Sequence, residues 1–126
     1  MNKIHDLRLR NADSKVKYVV MDGVNFQRIE DFVDYVEKEL EFPVSCGHDI
    51  GMLDRFNDWI RDLTWFDYDT YIFIIYNYDE FLKNDVSAKQ CVISVIFEEI
   101  VLPWWEKDVV NCMVGGKTKN VQLYLF

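Results

Sequence analysis

The residues best equipped for chemistry gather between positions 46 and 62. Cys46, His48 and Asp49, in the run CGHD, bring a thiol, an imidazole and a carboxylate within four positions. A catalytic thiol needs an activating base, and Cys46 with His48 offers both types, although closeness along a loop says little about geometry. Zinc needs three or four convergent ligands. The chain has only two histidines, His5 and His48, and the cramped CGHD spacing matches no common metal site, so a polar loop is the simpler reading. Asp54 and Asp58 lie one helical turn apart, where like charges can raise one pKa and prepare acid and base roles. Glycoside chemistry would also need a cleft flanked by sugar-binding groups. Neither GxGxxG nor GxxxxGK[ST] is present, so both phosphate-cradling fingerprints are missing. Gly115-Gly116 followed by Lys117 and Lys119 is a faint phosphate signal, and a lysine-bearing turn before an edge strand explains it as well. The expectation is a protein without catalytic residues, metal or cofactor.

The same stretch does offer an acidic ridge. In LDRFNDWIRDL, residues 53 to 63, Leu53, Phe56, Ile60 and Leu63 recur at helical spacing and form the stripe a surface helix buries. Asp54, Asn57, Asp58 and Arg61 face the other way, with Asp62 near them and with His48 and Asp49 in the preceding loop. Carboxylates held on a helix can imitate the phosphates of a nucleic acid. An enzyme that grips phosphates with Arg and Lys would accept them through charge-assisted bonds. A merely solvated face is the competing reading of the same pattern.

The elements that must position this ridge are legible from periodicity. KYVVM, residues 17 to 21, reads as a strand closed by the Asp22-Gly23 turn. IEDFVDYVEKELEF places Ile29, Phe32, Val33, Val36 and Leu40 on one helical stripe, and Pro43 closes the segment. VSCGHDIGM is loop-like, and LDRFNDWIRDL is the second helix. TYIFIIY, residues 70 to 76, is almost continuously β-branched and aromatic, as expected of a central strand covered on both faces by helices. YDEFLKN fits a short helix, and SAKQCVISVIFEEIV a longer one, with a buried strand as competitor for part of it. Pro103 should interrupt that helix, and Gly115-Gly116 should turn the chain into a last strand, NVQLYLF. The order predicts an α/β fold, a three-stranded, mostly parallel sheet packed against helices.

At 126 residues, half of them hydrophobic and 16% aromatic, the chain is expected to form one globular domain, with residues 1 to 16 as an N-terminal extension. No apolar run approaches the roughly 20 residues of a membrane helix. The first residues lack the apolar segment and cleavage site of a signal peptide. Three cysteines suit a reducing compartment, so the expected location is the cytoplasm. The net charge of -8 is uneven. Residues 1 to 19 carry five Lys or Arg against two Asp, a balance of +3, and residues 20 to 69 carry thirteen Asp or Glu against four Lys or Arg, a balance of -9. Such a field repels nucleic acid and steers a basic partner.

With these residues in place the chain resembles the barstar family of small intracellular inhibitors of secreted ribonucleases. The resemblance runs from the first strand and Gly23 through the helix ending EKELEFP, Gly47 and LDRFNDWI, to IFEEI and the closing NVQLYLF, roughly residues 17 to 126 with interruptions. It implies a barstar-like fold in which Asp54 and Asp58 are the two binding-helix aspartates, Asp58 being the one that enters the nuclease phosphate site. Glu99 is the match for a further partner-facing glutamate. Asn57 stands where the family's best-known member has a Trp. The loop VSCGHDIGM is about three residues longer, with Ser45 and Cys46 at positions expected to be aromatic, and LPWWEKDVVNCMVGG is extra. These departures fall around the implied binding surface and point to a different toxin. The resulting expectation is an immunity protein that plugs the basic cleft of a nuclease toxin, a ribonuclease by the resemblance, through Asp58, Asp54, Asn57, Glu99, His48, Asp49 and Arg61. No direct binding of nucleic acid or membrane is expected. The alternative is a regulatory binding module of the same fold whose partner is not a nuclease.

Overall fold

The computed structural model describes residues 15–66 and 68–126. His5 and most of the expected N-terminal extension lie outside the described residues. Strand β1 spans Val16–Asp22, β2 Thr70–Tyr76 and β3 Asn120–Leu125. Their order is β1-β2-β3 and both pairings are parallel, with Val16 opposite Thr70 and Thr70 opposite Asn120. The predicted α/β fold with a central TYIFIIY strand is therefore present.

Helices fill the connections between the strands, as parallel pairing requires. Helix α1 spans Ile29–Glu39 and α2 spans Met52–Ile60. The Asp31 carboxylate accepts the backbone amides of Gln27 and Arg28 at 3.1 and 3.0 Å, which fixes the start of α1. A 3-10 turn (Tyr78–Glu80) follows β2 where a short helix was expected. Helix α3 (Val86–Gln90) then runs on into a π-helical stretch (Cys91–Val101), so the buried-strand competitor for this segment is not what forms.

Pro103 does not interrupt that helix. The backbone continues through a second π-helical stretch (Trp104–Asp108) into α4 (Val109–Cys112). A proline ring clashes with the carbonyl four residues back in an ordinary helix. Here the wide turns on both sides, where Leu102 N–H reaches Phe97 O, remove the register in which that clash occurs.

The core lies on one side of the sheet. Val19 and Met21 of β1 and Tyr71, Phe73 and Ile75 of β2 pack against Phe32, Val33, Val36, Phe56, Ile60, Val92, Ile96, Phe97 and Trp105 from the helices. The alternate residues Ile72 and Ile74 face the other way, among Val16, Tyr18, Val20, Tyr76 and Tyr124, and no helical residue joins that cluster among the described residues. Among the described residues, the helices expected on both faces pack on the core side alone. On this second face Tyr18, Tyr76 and Tyr124 pack beside Ile72 and Ile74, both of which are fully buried. At the carboxyl ends of the strands, Gly23 allows a close approach, since a Cβ there would lie 2.2 Å from the Asn77 carbonyl oxygen. No helix among the described residues is long and apolar enough to cross a membrane.

Candidate functional site

Helix α2 buries Phe56 and Ile60 of the expected stripe, with Met52 buried and Leu53 only partly so, and leaves Asp54 and Asp58 exposed. Asp54 sits in the first turn, where a carboxylate complements the positive end of the helix dipole. It makes no hydrogen bond or ion pair among the described residues. The Asp58 side chain is 74% exposed and accepts a hydrogen bond from Arg61 Nη2 at 3.1 Å. Arg61 also donates from Nε to the Asn57 carbonyl at 3.0 Å, and its guanidinium lies 5.5 Å from the centre of the Trp104 ring. Asn57 Oδ1 is buried without a hydrogen-bond partner among the described residues. An acceptor left so costs about 1–3 kcal/mol.

The loop before α2 is tied down from both helices. Arg55 donates from Nε to the Cys46 carbonyl at 2.8 Å and from Nη2 to the Asp49 carboxylate. Glu37 of α1 accepts the Cys46 amide hydrogen at 3.0 Å. Gly47 takes the left-handed conformation, φ 69°, that admits a glycine most easily. His48 turns toward α1, its Nε2 lying 2.8 and 3.0 Å from the two oxygens of Asp34. The hydrogen bond that His48 donates to Asp34, and then the charge of that carboxylate, raise the His48 pKa. Asp49 is held below its ordinary value, chiefly by the Arg55 hydrogen bond.

This arrangement removes the thiol reading of CGHD. Cys46 is buried, and burial, with the nearby charge of Glu37, pushes its pKa up to about 11. His48 pairs with Asp34 instead of serving it as a base. Lys119, from the lysine-bearing turn, donates to the Tyr68 carbonyl at 2.8 Å and lies over the Tyr71 and Trp105 rings, so it is occupied in packing.

Asp54, Asn57, Asp58 and Arg61 are thus together on α2, with Asp49 joined to that helix through Arg55 and His48 facing α1. Asp62, beyond the helix end, accepts the Thr64 amide hydrogen at 3.3 Å. Glu99 is exposed on the π-helical stretch, which packs beside α2. No hydrogen bond or ion pair links it to the α2 aspartates.

The spacing along α2 gave no sign of two features. Trp104 and Trp105 turn back to the end of α2, their indole Nε1 atoms donating to the Arg61 and Ile60 carbonyls at 2.9 Å each. Between them and the 113–119 segment runs a groove of about 660 Å³ whose lining begins at Asp58 and Arg61. A second cavity, about 960 Å³, opens by the carboxyl ends of the strands and includes Asp22, Asp31, Asp34 and Lys38.

The family model described as "Barstar (barnase inhibitor)" matches residues 16–114. The chain belongs to the barstar family. The match takes in α1, the loop from Pro43 to Gly51, α2, β2 and the helical region through Trp104 and Met113, so the extra connection before β3 lies largely within it. No curated protein and no solved structure matches the chain. Membership of an inhibitor family accords with a thiol that is buried and a histidine turned away from it.

Proposed function

We propose that this barstar-family protein is a cytoplasmic immunity protein, a single inhibitor domain that binds a nuclease toxin and blocks its active site without doing chemistry itself. The toxin is read as a ribonuclease from the family description. The observation that carries the reading is the exposed acidic face of α2, with Asp54 and Asp58 projecting from a helix whose opposite side is locked into the core. In this reading Asp58 is the anchor in the phosphate-binding cleft, Asp54 and Asn57 flank it, and Glu99, His48 and Asp49 extend the contact.

Arg61 makes this anchor a paired one. Exposed pairs such as Asp58–Arg61 and Asp49–Arg55 contribute little to stability, so exchanging Arg61 for a cation of the enzyme is inexpensive. The toxin's cation would take the Asp58 oxygen while Arg61 keeps its place on Trp104. Occupancy of the cleft excludes substrate.

The test is capture of partners from bacterial lysate and culture medium with the protein as bait, elution at high salt, and a nuclease assay of what is released. The expected result is a basic nuclease domain that the protein inhibits at low salt and releases as salt screens the contact. A nuclease that stays fully active in the presence of excess protein would defeat the proposal.

A further inference from the structure

Charge alone does not make a tight complex, because affinity concentrates in a few well-packed, desolvated anchors. The exposed face of α2 offers carboxylates and an amide but no large apolar group. The nearest apolar surface is the groove past the end of the helix. Trp104 is half-buried there beneath Arg61, and on the far side Met113 and Val114 stand 56% and 108% exposed. Asp58 lines the same groove, so a cation bound to Asp58 sits at the edge of it.

We infer that this groove is the specificity-determining half of the nuclease-binding surface, and that it receives an apolar side chain which the nuclease carries beside the cation bound by Asp58. The inference rests on the immunity reading and deepens it. The occupant is defined by the lining: aliphatic or aromatic to lie against Trp104, Met113 and Val114, and next to a positive charge only on the side of Asp58 and Asp62, because Lys117 and Lys119 line the opposite side and Arg61 already pairs with Asp58. A toxin selected in this way differs from one gripped by charge alone, since the apolar contact adds affinity that salt does not screen, even though loss of the ionic part still releases it.

The experiment compares Asp58→Asn, Met113→Asp, Val114→Asp and the remote Val24→Asp for binding to the nuclease captured with this protein, by surface-immobilised kinetics, with circular dichroism as the check on folding. Met113, Val114 and Val24 are all exposed, so none of these changes opens the core. An added carboxylate strengthens attraction to a basic partner, so a loss at the groove reports lost contact. The expected result is weakening by about tenfold or more for each groove variant, mostly through faster dissociation, and little change for Val24→Asp. If Asp58→Asn weakens binding while both groove variants bind as the parent does, the groove inference is overturned and the α2 reading stands. If Asp58→Asn binds normally, or no nuclease is captured, the immunity reading fails and takes the groove with it. A parent protein that sediments as a dimer, and becomes monomeric on Val114→Asp, would instead assign the groove to a second copy and overturn the inference.

Discussion

Arg55 Nε donates to the Cys46 carbonyl oxygen at 2.8 Å, fastening α2 to the loop that leads into it. The same guanidinium holds Asp49, while Glu37 on α1 takes the Cys46 amide hydrogen. A loop containing Gly47 and Gly51 would be costly to order at the moment of binding. Here that order exists before any partner arrives, and such preorganisation improves affinity by lowering the cost of association.

Arg55→Ala is accordingly expected to speed amide hydrogen exchange through residues 46 to 51 while leaving the amides of α1 and β2 protected. The global loss should be small, about 1–2 kcal/mol, since the bonds are partly exposed. Arg55→Lys should rescue little, because an ammonium cannot span both acceptors as the planar fork does. Exchange followed by NMR decides the matter, and unchanged rates in the loop would show that Arg55 is dispensable there.

His48 supplies a pH dependence. Its pKa is raised in the folded state by the Asp34 hydrogen bond and charge. A raised folded pKa means that the pair contributes fully below the unfolded value of about 6.5 and that its contribution is lost as pH rises through the folded pKa. Titration of the His48 ring by NMR should give a midpoint above that of a free histidine, and Asp34→Asn should return it toward the ordinary value. A midpoint unaffected by Asp34→Asn would mean that the 2.8 Å contact does not persist in solution.

Asp58→Ala should abolish most inhibition while changing stability by no more than about 0.5 kcal/mol, as for exposed residues away from special features. The comparison needs an acid with no structural task. Glu37 fails that requirement because it accepts the Cys46 amide hydrogen at 3.0 Å. Asp79, exposed in the 3-10 turn after β2, serves better. Equal loss of inhibition from Asp58→Ala and Asp79→Ala would point to diffuse electrostatics in place of a defined anchor.

Periodicity made α1 and α2 legible because in each the buried residues repeat at helical spacing, while β2 was legible as a continuous β-branched and aromatic run. The charged face of α2 followed from the same pattern. Its internal pairing did not, because whether Arg61 meets Asp58 or Arg55 meets Asp49 depends on rotamers and on where the loop turns. The end of α2 was misjudged for a related reason. Leu63 continues the apolar stripe and is buried, but it does so in the left-handed conformation, φ 53°, beyond a helix that stops at Ile60. Glycine or asparagine ordinarily marks such a stop, and a leucine there leaves no local signal. Passage through Pro103 was hidden likewise, since it depends on wide turns that no residue type announces.

Trp105 holds that unmarked helix end in place. Its buried indole donates to the Ile60 carbonyl at 2.9 Å, and the half-buried Trp104 indole does the same for Arg61. Carbonyls in the last turn of a helix have no partner within it, so the two indoles provide a C-terminal cap from 45 and 43 residues away. Trp105→Phe keeps most of the apolar bulk but strands the Ile60 carbonyl in the core. Urea unfolding should show a loss of about 1–3 kcal/mol for that orphaned acceptor. Trp104→Phe should cost less, because water can reach the more exposed Arg61 carbonyl, yet it also changes the ring on which Arg61 rests. A larger unfolding penalty for Trp104→Phe than for Trp105→Phe would contradict this account of the cap. Loosening of Asp58 and Arg61 in NMR relaxation of Trp105→Phe would show that the cap, and not α2 alone, holds the acidic face in shape.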